Sequence, residues 1–159
     1  MTTPVIFALQ FSFSLITYSL LMKWYILPKL VEKELASALT PLLFVHVFRT
    51  LGLTSQVPNV VGERLSQTVW AHHVAIGDLV TVILALSALI ALRNRWSFAI
   101  PLAWVCNIVG FLDVCNAGWN AVQEGIMFFA GVQWLIIVYA VPALIVTHFS
   151  MFYLLLKRK

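Results

Sequence analysis

Charge is what this sequence has least of. Only 10% of its 159 residues are Asp, Glu, Lys or Arg, while 62% are hydrophobic; soluble domains carry about 25% charged residues. A water-soluble fold is excluded on that balance, and the mean hydropathy of +0.96 points the same way. Cysteine is nearly absent. Cys106 and Cys115 are the only two, and they fall on one predicted helix about 13 Å apart along its axis, too far for a disulfide between them. No Cys-x-x-Cys or His-Glu-x-x-His spacing occurs, so there is no strong metal motif. Met1 to Pro4 lacks the basic start of a signal peptide. The apolar run that follows is about twice the length of a signal core, so a retained helix is expected. No internal repeat or low-complexity segment is present. Ten basic against six acidic residues give a formal charge of +4. Most of the basic residues stand at predicted helix ends, where lipid headgroups account for them, so no nucleic-acid partner is expected.

Long apolar runs, in contrast, are plentiful, and five of them are long enough to span a bilayer. The reading is an all-α integral membrane protein, residues 1–159 forming one membrane domain. Its helices are expected over about 5–27, 36–53, 68–92, 96–119 and 126–156. The last, at about 30 residues, exceeds the roughly 20 needed to span and is expected to tilt, kink at Pro142 or leave the bilayer. Thr54 to Gln67, with Pro58, Gly62, Glu63 and Arg64, is the longest polar connection, a loop able to lie over one end of the bundle.

Orientation follows from the basic residues. Lys23, Lys29, Lys33, Arg93, Arg95, Lys157, Arg158 and Lys159 gather on one side and Arg64 stands alone on the other. The positive-inside rule then puts the N-terminus outside and the C-terminus in the cytoplasm, in the plasma (inner) membrane. Trp24 and Trp96 fall at the inner interface and Trp70 and Trp119 at the outer one, as an aromatic belt requires.

Ionisable groups inside a membrane are costly and mark functional candidates. Trp70 to Asp78 holds His72, His73 and Asp78 in what reads as membrane. Counted from the outer helix ends, His46 and Arg49 lie about 10 and 6 Å deep and His72, His73 and Asp78 roughly 6 to 15 Å deep. Asp113 and Asn116 fall near the outer end of the fourth helix, Asn107 near mid-membrane, and Gln10 and Gln133 in the outer parts of the first and fifth. His148, in the inner half, reads as a packing residue. On the fourth helix Ala103, Cys106, Asn107, Gly110, Asp113 and Ala117 share one stripe, and on the third Ala71, Ala75, Asp78 and Ala85 do. Small-residue stripes let helices approach closely, so both aspartates are expected on packed faces. Arg49 needs an anion at that depth, and at least one pair with Asp78 or Asp113 is expected. His72 and His73 project about 120° and 140° away from Asp78, so at most one shares its pocket.

Four functions stay open on this pattern. The leading one is binding, with or without proton-coupled translocation, of a small polar or amphipathic ligand in an outer-leaflet pocket. His46, Arg49, His73, Asp78, Asn107 and Asp113 would line it, with Gln10, His72, Asn116 and Gln133 as further candidates. Translocation through so thin a wall would call for a homo-oligomer. The second is an intramembrane enzyme using Asp78 and Asp113 as an acid–base pair on a lipid-soluble or peptide substrate. Gly77-Asp78 resembles the Gly-Asp pair of intramembrane aspartyl proteases over those two residues, and the second motif of that family is not evident. The third is a metal or b-type haem site on His46 with His72 or His73. The fourth is a structural subunit. No cofactor is assigned, and the partners expected are the bilayer and a small molecule. Length and helix count alone resemble the translocator-protein fold, whose aromatic and proline-rich signatures this chain does not carry.

Overall fold

The computed structural model describes residues 1–157, and Arg158 and Lys159 of the basic C-terminal cluster lie outside the described residues. Five helices are long and apolar enough to cross a membrane: α1 (Thr3–Val31), α2 (Leu35–Gln56), α3 (Val69–Arg93), α4 (Ala99–Gln123) and α5 (Gln133–Lys157). Helix α3 lies between α2 and α4, and α5 packs on α1, α2 and α4. Helix α1 is peripheral. Of its residues only Ser14, Met22 and Leu30 are buried, and its outward face presents Val5, Leu9, Phe13, Ile16 and Leu20.

Two ends of the bundle differ in chemistry. Lys29, Lys33, Arg93, Arg95 and Lys157 mark a basic end, and the connections 57–68 and 124–132 form a loop end. The apolar core is likewise in two parts. One, at the basic end, gathers Leu39, Leu43, Ala85, Ala88, Ala103, Met151 and Leu154. The other closes the loop end with Val61, Leu65, Trp70, Val74, Ile126 and Ala130. The segment expected as a covering loop does cover that end. It folds as two short helical turns, Pro58–Val61 and Glu63–Ser66, which set Val61 and Leu65 into the core. Gly62 between them has φ +85, a conformation that side chains resist.

Proline accounts for the irregular turns. Wide, π-type turns occupy Met22–Ile26 of α1 and Ile136–Ala140 of α5. Each lies just ahead of a proline, Pro28 or Pro142. A proline ring clashes with the carbonyl four residues earlier, here Trp24 or Val138 at the middle of each wide turn, and opening the turn relieves the clash. Helix α3 starts on Thr68, whose Oγ1 accepts from the Ala71 N–H at 3.0 Å. Glu124 accepts from the Trp70 N–H at 2.9 Å, placing a carboxylate at the same helix start.

Two expectations need correction. The fifth helix does not begin near Ile126. A turn at Ile126–Phe128 and Gly131 at φ +55 break the run, and α5 begins at Gln133. Part of the excess length is thereby taken up by a connection, and the helix that remains carries its wide turn just ahead of Pro142. Trp70 is not an exposed interfacial anchor. It is 3% exposed, against 68% for Trp119, because its indole N–H donates to the Ala117 carbonyl at 2.9 Å and ties α3 to α4.

Candidate functional site

The last part of α2 decides where the polar residues go. From Phe48 to Gln56 it winds as a 3-10 helix, in which residues three apart eclipse one another. Arg49, Gly52 and Ser55 therefore stand in one line, and all three are buried. His46, one step earlier, is buried as well. Ser55 Oγ donates to the Ala71 carbonyl at 2.9 Å, which fixes this edge of α2 on α3.

Arg49 holds three helices together. Its Nε donates to Asp78 Oδ1 at 2.5 Å and its Nη1 to the Gly110 carbonyl at 3.0 Å. Its Nη2 is paired with Asp113 Oδ2. The arginine side chain is 2% exposed, and the two aspartate side chains 10% and 12%. Both carboxylates thus reach the same cation, where at least one pair was expected. An unpaired charge in this dielectric would be strongly disfavoured, and the geometry leaves none of the three unpaired.

Three glycines seat this cluster. A Cβ on Gly52 would overlap the Asp78 carboxylate, and one on Gly77 would overlap that of Asp113. A Cβ on Gly110 would come 2.8 Å from His148 Cε1 and 3.2 Å from Arg49 Nη1. Each member of the cluster therefore rests on a backbone that only glycine leaves bare.

Behind Arg49, toward the basic end, lies a second polar group. The His46 and His148 rings face each other with centroids 4.1 Å apart, and neither residue is exposed. His148 Nδ1 is 2.8 Å from Asn107 Oδ1, an acceptor, so that nitrogen carries the proton. The Asn107 amide donates to the His148 carbonyl at 3.3 Å. Thr147 Oγ1 donates to backbone carbonyls of its own helix and lies 3.4 Å from His46 Nε2. His46 Nδ1 and His148 Nε2 are buried without hydrogen-bond partners among the described residues.

In front of Arg49, toward the loop end, all five helices enclose a cavity of about 380 Å³. Its wall is apolar: Phe7 and Phe11 from α1, Val45 and Phe48 from α2, Trp70 and Val74 from α3, Ala117 and Ala121 from α4, Ile137 and Leu144 from α5. Among the described residues, Arg49, Asp78 and Asp113 are its only charged lining residues, and Gln133 is the one uncharged polar side chain. Phe48, Leu51 and Val122 stand at its rim, 69%, 48% and 66% exposed.

The sequence candidates divide accordingly. Arg49, Asp78, Asp113 and Gln133 line the cavity, the last donating to Thr54 Oγ1 at 2.8 Å. His46 and Asn107 belong to the buried group behind. His72 and His73 are exposed at the loop end and are not brought to the cavity. Neither joins His46, whose ring partner is His148, and among the described residues no three His, Cys, Asp or Glu side chains group as metal ligands do. Gln10 accepts from Trp134 Nε1 at 2.6 Å, tying α1 to α5, and exposed Asn116 accepts from the Asn120 amide. Asp78 and Asp113 are bonded by different nitrogens of one guanidinium rather than sharing a proton.

His148 is the residue that sequence reasoning missed. Two shifts bring it and His46 level: the 3-10 stretch rises about 2.0 rather than 1.5 Å per residue and sets His46 a few ångströms deeper, and α5 begins at Gln133 rather than near Ile126, which brings His148 about 10 Å nearer the loop end. A His, Thr, Ser run at 147–150 in an otherwise apolar half was the available signal.

Residues 6–156 match the model of a family described as a domain of unknown function (DUF8737), and the chain belongs to that family. No curated protein and no solved structure matches it.

Proposed function

We propose that this membrane protein binds an amphipathic small molecule drawn from the bilayer, with its apolar body in the cavity and its polar end at Arg49, Asp78 and Asp113. The observation that carries this is the concentration of all charge in the wall at one place. An apolar recess with a few convergent polar groups is the usual form of a small-molecule site. The cavity also has the size of one, at about 380 Å³. Its exposed rim residues Phe48, Leu51 and Val122 are apolar, which suits entry from lipid. The lopsided distribution of lysine and arginine supports placing the loop end, and with it the site, on the non-cytoplasmic side of the plasma (inner) membrane.

Trp70 lines the cavity and supplies the assay. Nitroxide-labelled amphiphiles added to the protein in nanodiscs should quench a tryptophan component that Trp70→Phe removes. Asp78→Asn and Asp113→Asn should weaken that quenching with helicity and elution volume unchanged. Identical quenching in both variants and the parent would overturn the assignment of the polar end.

A further inference from the structure

We infer that the amphiphile this cavity takes is a lipophilic amine, bound through its ammonium group, and not an acid or phosphate. The inference rests on the cavity-binding reading above and adds the chemistry of the polar end.

The first argument is charge. Among the described residues Arg49 is the one cation in the wall, so with both carboxylates ionised the wall carries one net negative charge. A net charge in a membrane interior is unfavourable, and its attraction for an opposite charge grows as the dielectric falls. A single positive charge is the complement. An anionic end would meet two carboxylates around an arginine already bonded to Asp78, Asp113 and Gly110.

The second argument is which atoms are left to bind. Arg49 takes Asp78 Oδ1 and Asp113 Oδ2. Asp78 Oδ2 lies beside Gly52, and both residues are part of the cavity wall. Gly52 lets that oxygen seat against its backbone, and among the described residues the oxygen has no hydrogen-bond donor. It is an acceptor only, so the group it takes must donate. An ammonium offers both the charge and the N–H donors. The remainder of the wall, apart from Gln133, is apolar and fits a hydrocarbon body.

The test compares four compounds on one body: dodecylamine, dodecyltrimethylammonium, dodecanol and dodecanoate. Each displaces the nitroxide-labelled amphiphile from the full chain in zwitterionic nanodiscs, with concentrations corrected for partition into lipid. The amine should bind about tenfold more tightly than the alcohol and about a hundredfold more tightly than the carboxylate, as expected for a desolvated charge pair. The trimethylammonium compound, with charge but no donor, should fall between amine and alcohol. Asp78→Asn should bring amine and alcohol within about threefold of one another, and Asp113→Asn should do so partly if Asp78→Asn does not fold. Tighter or equal binding of dodecanoate, or equal binding of all four, overturns the amine assignment and leaves the cavity reading standing. Absence of any Trp70-dependent quenching by the labelled probe overturns both.

Discussion

Replacing Arg49 by methionine tests how the charged cluster is held. The side chain is 2% exposed and makes bonds to Asp78, Gly110 and Asp113 on two other helices. Methionine fills similar volume without charge, so the change removes the cation and leaves two buried carboxylates facing each other. Breaking a buried pair by removing one partner costs about 3–5 kcal/mol. Both pairs end on one guanidinium, so their losses overlap and do not add. The expected loss for Arg49→Met is therefore about 3–5 kcal/mol, a large share of the roughly 5–15 kcal/mol that holds a native fold. The variant Arg49→Met with Asp78→Asn and Asp113→Asn has no charge left to desolvate and should recover at least half of it. Reversible unfolding by sodium dodecyl sulfate in mixed micelles, followed by tryptophan fluorescence, measures each step. A single variant within about 1 kcal/mol of the parent, or a triple variant no better than the single, would refute the argument from uncompensated charge.

The glycines make an opposed pair of predictions in the same assay. Gly118→Ala meets nothing within 4 Å and should gain up to about 1 kcal/mol of helix propensity. Gly77→Ala overlaps the Asp113 carboxylate and should lose about 2 kcal/mol or more despite the same propensity gain; a gain there would mean the two helices are not so closely packed. Asn107→Ala strips His148 Nδ1–H of its acceptor and should lose about 1–3 kcal/mol, the cost of a buried unpaired donor. Its thermodynamic equivalence to the parent would sink the assigned tautomer. Finally, N-ethylmaleimide in mild detergent should modify exposed Cys115 and spare buried Cys106; equal rates at the two thiols would contradict the packing of α4 on α3.

The large-scale reading of the sequence holds because it rests on strong periodic signals. Five apolar runs become five helices; the stripe Ala71 to Ala85 is buried as its spacing requires, and so is the other from Ala103 to Gly110, while its further members Asp113 and Ala117 are half-buried. The pairing of Arg49 was legible for a different reason. An arginine at that depth has few anions to meet, and Asp78 and Asp113 were the only membrane-embedded carboxylates on offer. What escaped was local winding. The 3-10 turn that lines up Arg49, Gly52 and Ser55 contains ordinary residues, Phe48 to Gln56, and no composition rule marks it. Trp70 carried the composition of an interfacial anchor, and its burial is set by the Ala117 carbonyl, a partner no spacing reveals. His148 was read alone because the fifth helix was counted from Ile126, seven residues before its start, and the second with a uniform rise per residue.

The cost of this arrangement also bears on its purpose. Helices can be fixed against each other by apolar side chains at least as well as by a buried ion cluster. Glycine within a helix costs about 1 kcal/mol relative to alanine, and here Gly77 and Gly110 stand within α3 and α4 beneath charged groups. A recess of about 380 Å³ likewise forgoes side-chain packing between the helices. On the reading proposed above, an acyl chain alone would match the apolar wall and offer no donor to the carboxylates. An occupant that ends in a donor satisfies both. Three features that each lower stability meet at one point, Arg49, where a structural contact alone would require none of them.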